Sequence, residues 1–454
     1  MKISSSILKA FSAISFLWFG SLAGAGLVFI TNVVLARELT PSSYGVFAAA
    51  LATVTLLIPL AGFGVHRFWL KAFGAEGWGA VRWLTQSFRF VILSTTVTVL
   101  LLAVWAAFGP HDESFSWLLY WLLPVVVGYV LIEMVSAKLQ LEERYSALVL
   151  WRLMPNLARL LLVLLVVSSA TGQVNLDTIA VAYAAVAFVI MIAVFVQLLA
   201  MVQGQFALKG HLKLSDAENI FQTKITSIVR LSDVARQTWP FAFHDLFYLM
   251  YYQSAVILLI YLDSDQAAGI YNVAFTIMAA VYLLPDVIFQ KYLLPKFHRW
   301  ANYDRARFLE VYQAGNSAML LLGVFTSGAI MLLAPWVIPL LFGKVYQEAV
   351  SLLTILALCV PLHFLVISIG VTLETQENMR LKVYYMGVGG VINVLLNILI
   401  IPFYGAQGAA VSTLLCEIML LTLYLLAVRK HVFGSDAWRG WSLRLKTSAG
   451  EIKS

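Results

Sequence analysis

The sequence predicts an all-α, polytopic membrane protein of about 12 transmembrane helices, on three observations. Of its 454 residues, 61% are hydrophobic and only 12% charged, about half the charged share of an ordinary soluble domain. Apolar runs of about 20 residues, the length that crosses a bilayer, recur from end to end. The Lys and Arg residues between those runs fall almost wholly on alternate sides.

Taken in order, spans are predicted at 13–36, 43–65, 85–108, 115–137, 147–170 and 177–203, then at 237–262, 267–290, 309–342, 348–371, 381–403 and 406–428. The first is read as a retained helix, because removing it as a signal peptide would destroy the alternation. The ninth is too long for one crossing and is expected to end in an interfacial segment around Pro335–Phe342. One set of alternating segments, which includes both termini, carries 25 Lys and Arg, whereas the opposite loops carry only Arg37 and Lys344. The positive-inside rule then puts both termini in the cytoplasm, in a cell (inner) membrane. The net charge of +7 is therefore a topology signal and does not point to nucleic acid. Cys359 and Cys416 lie within apolar runs, which leaves no disulfide framework or thiolate metal site.

An internal echo divides the chain. SYGVFAAA (43–50) and AAGIYNVA (267–274) each place a glycine, Gly45 or Gly269, before a β-branched residue and an aromatic, with an alanine five positions on. Each run continues through a proline, Pro59 or Pro285, to a basic-aromatic stretch. The offset is six spans, an even number, so both copies cross in the same direction. Such parallel repeats, related by an axis along the membrane normal, are a transporter architecture. The predicted organisation is a six-helix bundle (1–203), a cytoplasmic amphipathic linker (204–236), a second six-helix bundle (237–428) and a basic tail (429–454). Bases alternating with Trp438 and Trp441 make that tail an interfacial anchor to anionic lipid.

The stretches ARELTPSSYGVFAAA (36–50), LDSDQAAGIYNVAF (262–275) and NVLLNILIIPFYGAQGAAVSTLLCEI (393–418) resemble the polysaccharide transporters. These are Wzx-type lipid-linked oligosaccharide flippases of the multidrug/oligosaccharidyl-lipid/polysaccharide exporter superfamily. The resemblance implies two bundles about a central cavity, alternating access, and a polyprenyl-pyrophosphate-linked glycan as cargo. It also implies membrane lipids, a glycan polymerase and export machinery as partners. Many relatives carry an aspartate in the seventh span where this chain has Gln253-Ser254-Ala255, so the role of that aspartate is absent here or has moved to Asp245. Asn393 and Asn397 lie four apart on one helix face, Pro402 ends that helix, and Gly405 and Gly408 let the next pack closely. These residues are read as holding the fold.

Charges inside spans mark candidate sites, because a charge at the bilayer centre costs about 2.5–3.5 kcal/mol on insertion scales. Arg152, Asn156 and Arg159 form one stripe of the fifth span. Arg159 lies roughly 18 Å from the cytoplasmic end at 1.5 Å per residue. A guanidinium matches pyrophosphate oxygens, so Arg159, Arg152, Arg89 and Asn156 are candidate cargo-binding residues. Arg152 and Arg89 are shallow enough to snorkel, and a pair between Glu133 and Arg152 is the structural alternative. His244, Asp245, Glu417 and His363 are candidates for ion coupling, with a Glu417–His363 pair as the plainer alternative.

No catalytic constellation, glycine-rich phosphate loop or metal-spaced cluster is present, so no enzymatic activity and no cofactor are expected. A multidrug or toxin exporter of the same superfamily is the rival transporter reading. A membrane-embedded glycan polymerase or glycosyltransferase would need catalytic residues on a sizeable external loop.

Overall fold

The computed structural model describes residues 5–170, 174–202, 206–208, 229–375, 379–438 and 441, and among them every regular element is helical. A bilayer favours this outcome, since a helix satisfies its own backbone polar groups within one segment. The first elements are α1 (Ser5–Glu38), α2 (Pro41–Gly62), α3 (Val65–Glu76), α4 (Val81–Phe108), α5 (Glu113–Leu141), α6 (Tyr145–Ser169) and α7 (Leu176–Val202). There follow α8 (Leu231–Leu262), α9 (Asp265–Asp286), α10 (Leu294–Tyr303), α11 (Arg305–Phe342), α12 (Ala349–Ala357), α13 (Cys359–Gly370) and α14 (Met379–Val428).

Two apolar stretches, Pro41–Phe108 and Arg380–Trp438, run for 68 and 59 residues, far beyond one crossing. Both are broken by backbone that only certain residues adopt comfortably. Between α2 and α3, Phe63 and Gly64 take φ of 45° and 70°. Within α14, Gly405 takes φ 54° and ψ −140° after Pro402. Helices α12 and α13 meet at a bend of 42°. Splitting the two long stretches, and counting the bent pair as one span, accounts for each of the twelve stretches marked in the sequence. Helix α11 continues unbroken through Pro335 and Pro339 to Phe342, so the Pro335–Phe342 stretch forms the last turns of the same helix. Its opposite end carries water-seeking turns: Asp304 accepts from the Arg307 backbone N–H at 3.0 Å, and Arg307 pairs with Glu310 at 2.7 Å.

The chain packs as two compact units, Met1–Gly269 and Ile270–Ser454. In the first, α5 packs against α7, α2 and α4, α1 lies along α6, and α8 packs on α2, α3 and α4. The division falls beyond α8 rather than within the 204–236 linker. A T-shaped contact of Phe63 with Phe243 ties α8 to this unit. In the second unit, α11 packs on α12 and α13, and α14 packs on both. Residues 204–205 and 209–228 of the proposed linker, and 439–440 and 442–454 of the tail, lie outside the described residues.

The repeat is visible element by element. Helices α2 and α9 each have 22 residues with an internal proline, Pro59 or Pro285. Each is followed, after a break, by a short helix with a basic-aromatic sequence, VHRFWLKAFGAE in α3 and LPKFHRWANY in α10. Their glycines meet reciprocally within the first unit. A Cβ on Gly45 would lie 1.9 Å from the Asp265 carbonyl oxygen, and one on Gly269 would lie 2.0 Å from the Pro41 carbonyl oxygen. Only glycine permits that approach.

Candidate functional site in the first unit

The site begins at the turn after α2. Helix α3 buries Val65, Phe68, Trp69, Ala72 and Phe73, a helical stripe that turns His66 and Arg67 the other way. Gly64 sets the turn against α8, for a Cβ there would come within 2.5 Å of Phe241 Cβ. His66 and Arg67 thereby reach a cavity of about 690 Å³, which also takes Tyr129 and Glu133 from α5, Arg152 from α6, and Asp245, Tyr248 and Gln253 from α8. That volume lies within the range of small-molecule sites, about 300–1,000 Å³.

Two ion pairs face this space. Arg67 Nη2 lies 2.9 Å from Asp245 Oδ1, and Arg152 Nη2 lies 3.2 Å from Glu133 Oε2. His66 Nε2 stands 4.0 Å from the same Glu133 oxygen, and His244 Nδ1 is 3.0 Å from Asp245 Oδ1. Arg152 Nε also donates to Ser136 Oγ at 3.3 Å. A guanidinium has five N–H donors, so one carboxylate partner leaves each arginine able to bond an incoming anion. The lining carries equal numbers of carboxylates and guanidiniums.

The cargo-binding candidates separate. Arg152 lines the cavity. Arg159 does not: it is 6% exposed, donates from Nη1 to the Tyr129 hydroxyl at 2.9 Å, and lies over the rings of Tyr129 and Tyr183 at 4.9 and 5.3 Å. Among the described residues no carboxylate pairs with it, and its Nε is buried without a partner. It stands behind Tyr129, which forms part of the wall. Asn156 lies toward α1, where a Cβ on Gly24 would be 3.6 Å from its Nδ2. Arg89 is exposed on α4 and does not line the cavity.

The coupling candidates also separate. Asp245 lines the cavity with Gln253, and His244 reaches it only through Asp245. His363 and Glu417 belong to the second unit, buried, with Nδ1 and Oε1 2.8 Å apart. Tyr282 stacks on His363 with ring centroids at 3.8 Å. Glu417 is 0% exposed, and its Oε2 has no partner among the described residues. Nearby, Asn397 donates to Asn393 along one helix face at 2.9 Å.

His66 and Arg67 escaped the sequence reading, which counted Arg67 only among the loop bases beside the membrane and gave His66 no role. The signal was the spacing of Val65, Phe68, Trp69, Ala72 and Phe73, which marks α3 as a packed helix and not a loop.

The helices, their breaks and the repeat define a multi-pass membrane transporter fold. The chain belongs to a family of polysaccharide biosynthesis proteins, whose model matches residues 12–300. Among solved structures it is similar to the lipid II flippase MurJ in an inward closed conformation, at 13% identity and a TM-score of 0.65, over 91% of this chain and 87% of that one. It is similar also to an inward-facing multidrug resistance MATE family transporter of the MOP superfamily, at 14% identity and a TM-score of 0.63, over 90% and 96%. A MOP superfamily transporter from Pyrococcus furiosus matches at 12% identity and a TM-score of 0.55, over 92% and 95%. No curated protein matches the chain in sequence.

Proposed function

We propose that this protein is a flippase. Its cargo is a polyprenyl-pyrophosphate-linked oligosaccharide, carried from the cytoplasmic to the outer leaflet of the cell membrane by alternating access. The observation that carries this reading is Arg67 and Arg152 facing one cavity, each held by a single carboxylate that a phosphate oxygen can replace. Membership of a polysaccharide biosynthesis family and a fold like that of a lipid II flippase support it. Arg159 holds Tyr129 in the cavity wall. Asp245, with His244, and the Glu417–His363 pair are the groups that exchange a proton during the cycle. The protein moves its cargo and makes no bond in it, and a glycan polymerase acts on what it delivers.

A second reading has its own observation: Glu133 and Asp245 line the same cavity, and carboxylates suit a cationic drug. The two separate in one experiment. A strain lacking the protein accumulates a polyprenyl-linked saccharide on the inner leaflet, identified by mass spectrometry of extracted lipid. Export returns with the wild-type chain and not with Arg67→Ala/Arg152→Ala. Unchanged lipid in the deletion strain, together with lost efflux of a cationic dye, overturns the flippase reading in favour of the exporter.

A further inference from the structure

We propose that the first unit holds a resident anionic phospholipid in a second pocket, on the far side of α6 from the cavity. This pocket, of about 440 Å³, forms where α5, α6 and α7 meet, and its lining includes Lys138, Arg144, Leu150, Trp151, Met154 and Gln197. Arg152 of the cavity follows Leu150 by two residues, about 200° around a helix of 3.6 residues per turn, so the two spaces lie on opposite faces of α6.

The polar end carries the charge of a phosphodiester's counterpart. Lys138 Nζ lies 3.8 Å from Glu142 Oε1, and Arg144 Nη1 lies 3.4 Å from Glu142 Oε2. Two cations share one carboxylate, which leaves a single positive charge for the single negative charge of the headgroup. Glu143 is exposed and does not line the pocket. Trp151 donates its indole N–H to the Ile132 carbonyl at 3.3 Å, which fixes its ring in the wall.

The apolar end fits a chain. Leu150 and Met154 are 53% and 54% exposed, and Leu161 and Leu165 continue the same open stripe. At 1.5 Å per residue, Leu150 and Met154 stand about 9 and 15 Å along α6 from Arg144, the depth an acyl chain occupies in one leaflet of a 30 Å core. A base at the boundary with an open apolar stripe beneath it matches a lipid and not a soluble anion.

The test uses the full-length protein, purified from an equimolar mixture of phosphatidylglycerol and phosphatidylcholine and examined by native mass spectrometry. Wild type is expected to retain phosphatidylglycerol in preference to phosphatidylcholine. Arg144→Gln lowers that retention about fivefold, the effect of one base near a phosphate surface. Ala147→Trp, which fills the apolar part and leaves every charge in place, removes it as well, and this second variant decides the matter if the first fails to fold. Soluble glycerol phosphate leaves the bound lipid in place. Equal retention of both lipids, no change in either folded variant, displacement by glycerol phosphate, or displacement by a polyprenyl phosphate would each overturn the proposal.

Discussion

Arg159 is a buried guanidinium whose described partners are a phenol and two aromatic faces. A hydrogen bond from a charged donor contributes about 1.5–3 kcal/mol, and a desolvated cation–π contact about 2 kcal/mol. Arg159→Ala releases Tyr129 from the wall, and glycan export is expected to fall at least about tenfold, since about 1.4 kcal/mol on a barrier is a factor of ten. Tyr129→Phe keeps the ring and loses the acceptor, so its export lies between the two. Quantifying surface glycan against the amount of protein in the membrane checks both, and full export from Arg159→Ala would remove it from the mechanism. The His363–Glu417 pair makes a different prediction. Glu417→Gln keeps the size and a hydrogen bond to His363 but cannot give up the proton, so export loses its response to an imposed pH gradient while basal assembly is unchanged. Transport in inverted vesicles with and without that gradient measures this, and an unaltered response would make the pair purely structural.

Among the elements, the crossing of α2 with the first turn of α9 is the most constrained. A methyl group at Gly45 or Gly269 would press on a backbone carbonyl at 1.9 or 2.0 Å, and a backbone yields less readily than the end of a flexible side chain. Gly45→Ala and Gly269→Ala are each expected to destabilise by about 1–3 kcal/mol, as overpacking does. Gly26 in α1 is the control, because a Cβ there meets nothing within 4 Å. Gly26→Ala should be neutral or stabilising by up to about 1 kcal/mol through helix propensity. Thermal unfolding of the three variants in one detergent compares them directly. Similar losses at all three positions would mean that the close approach does not carry the strain described.

For the whole molecule, the alternation of bases and the proposed cargo lead to an electrical prediction. Moving an anion outward from a negative interior gains about 2.3 kcal/mol per charge per 100 mV, so a pyrophosphate with two charges gains about 4–5 kcal/mol at that voltage. Collapsing the potential in inverted vesicles should slow delivery of the lipid-linked saccharide well before it affects assembly of the protein. Insensitivity to the potential would point to a neutral or charge-compensated cargo. Labelling of single cysteines near residue 2 and residue 453, from outside intact cells, should fail at both if the termini are cytoplasmic.

The twelve stretches, the helix end at Pro402 before Gly405, and the repeat of α2 in α9 could be read from the sequence because a bilayer constrains each segment locally, whereas the break at Phe63–Gly64 fell inside a predicted span. The bilayer demands about 20 apolar residues per crossing, holds bases to one side and tolerates a broken backbone only in protected places. The continuity of α11 through Pro335 and Pro339 could not be read in that way, since neighbouring packing decides whether a proline ends a helix in a membrane. The same limit applies to the site. Sequence set the depth of Arg152, Arg159 and Asp245 along their helices, for depth follows from counting residues at 1.5 Å each. Which direction each faces, and so whether Arg152 meets Glu133 across 19 residues or Arg67 meets Asp245 across 178, depends on how helices rotate against one another. That rotation arises from the packing of many side chains at once, and only the tertiary structure specified it.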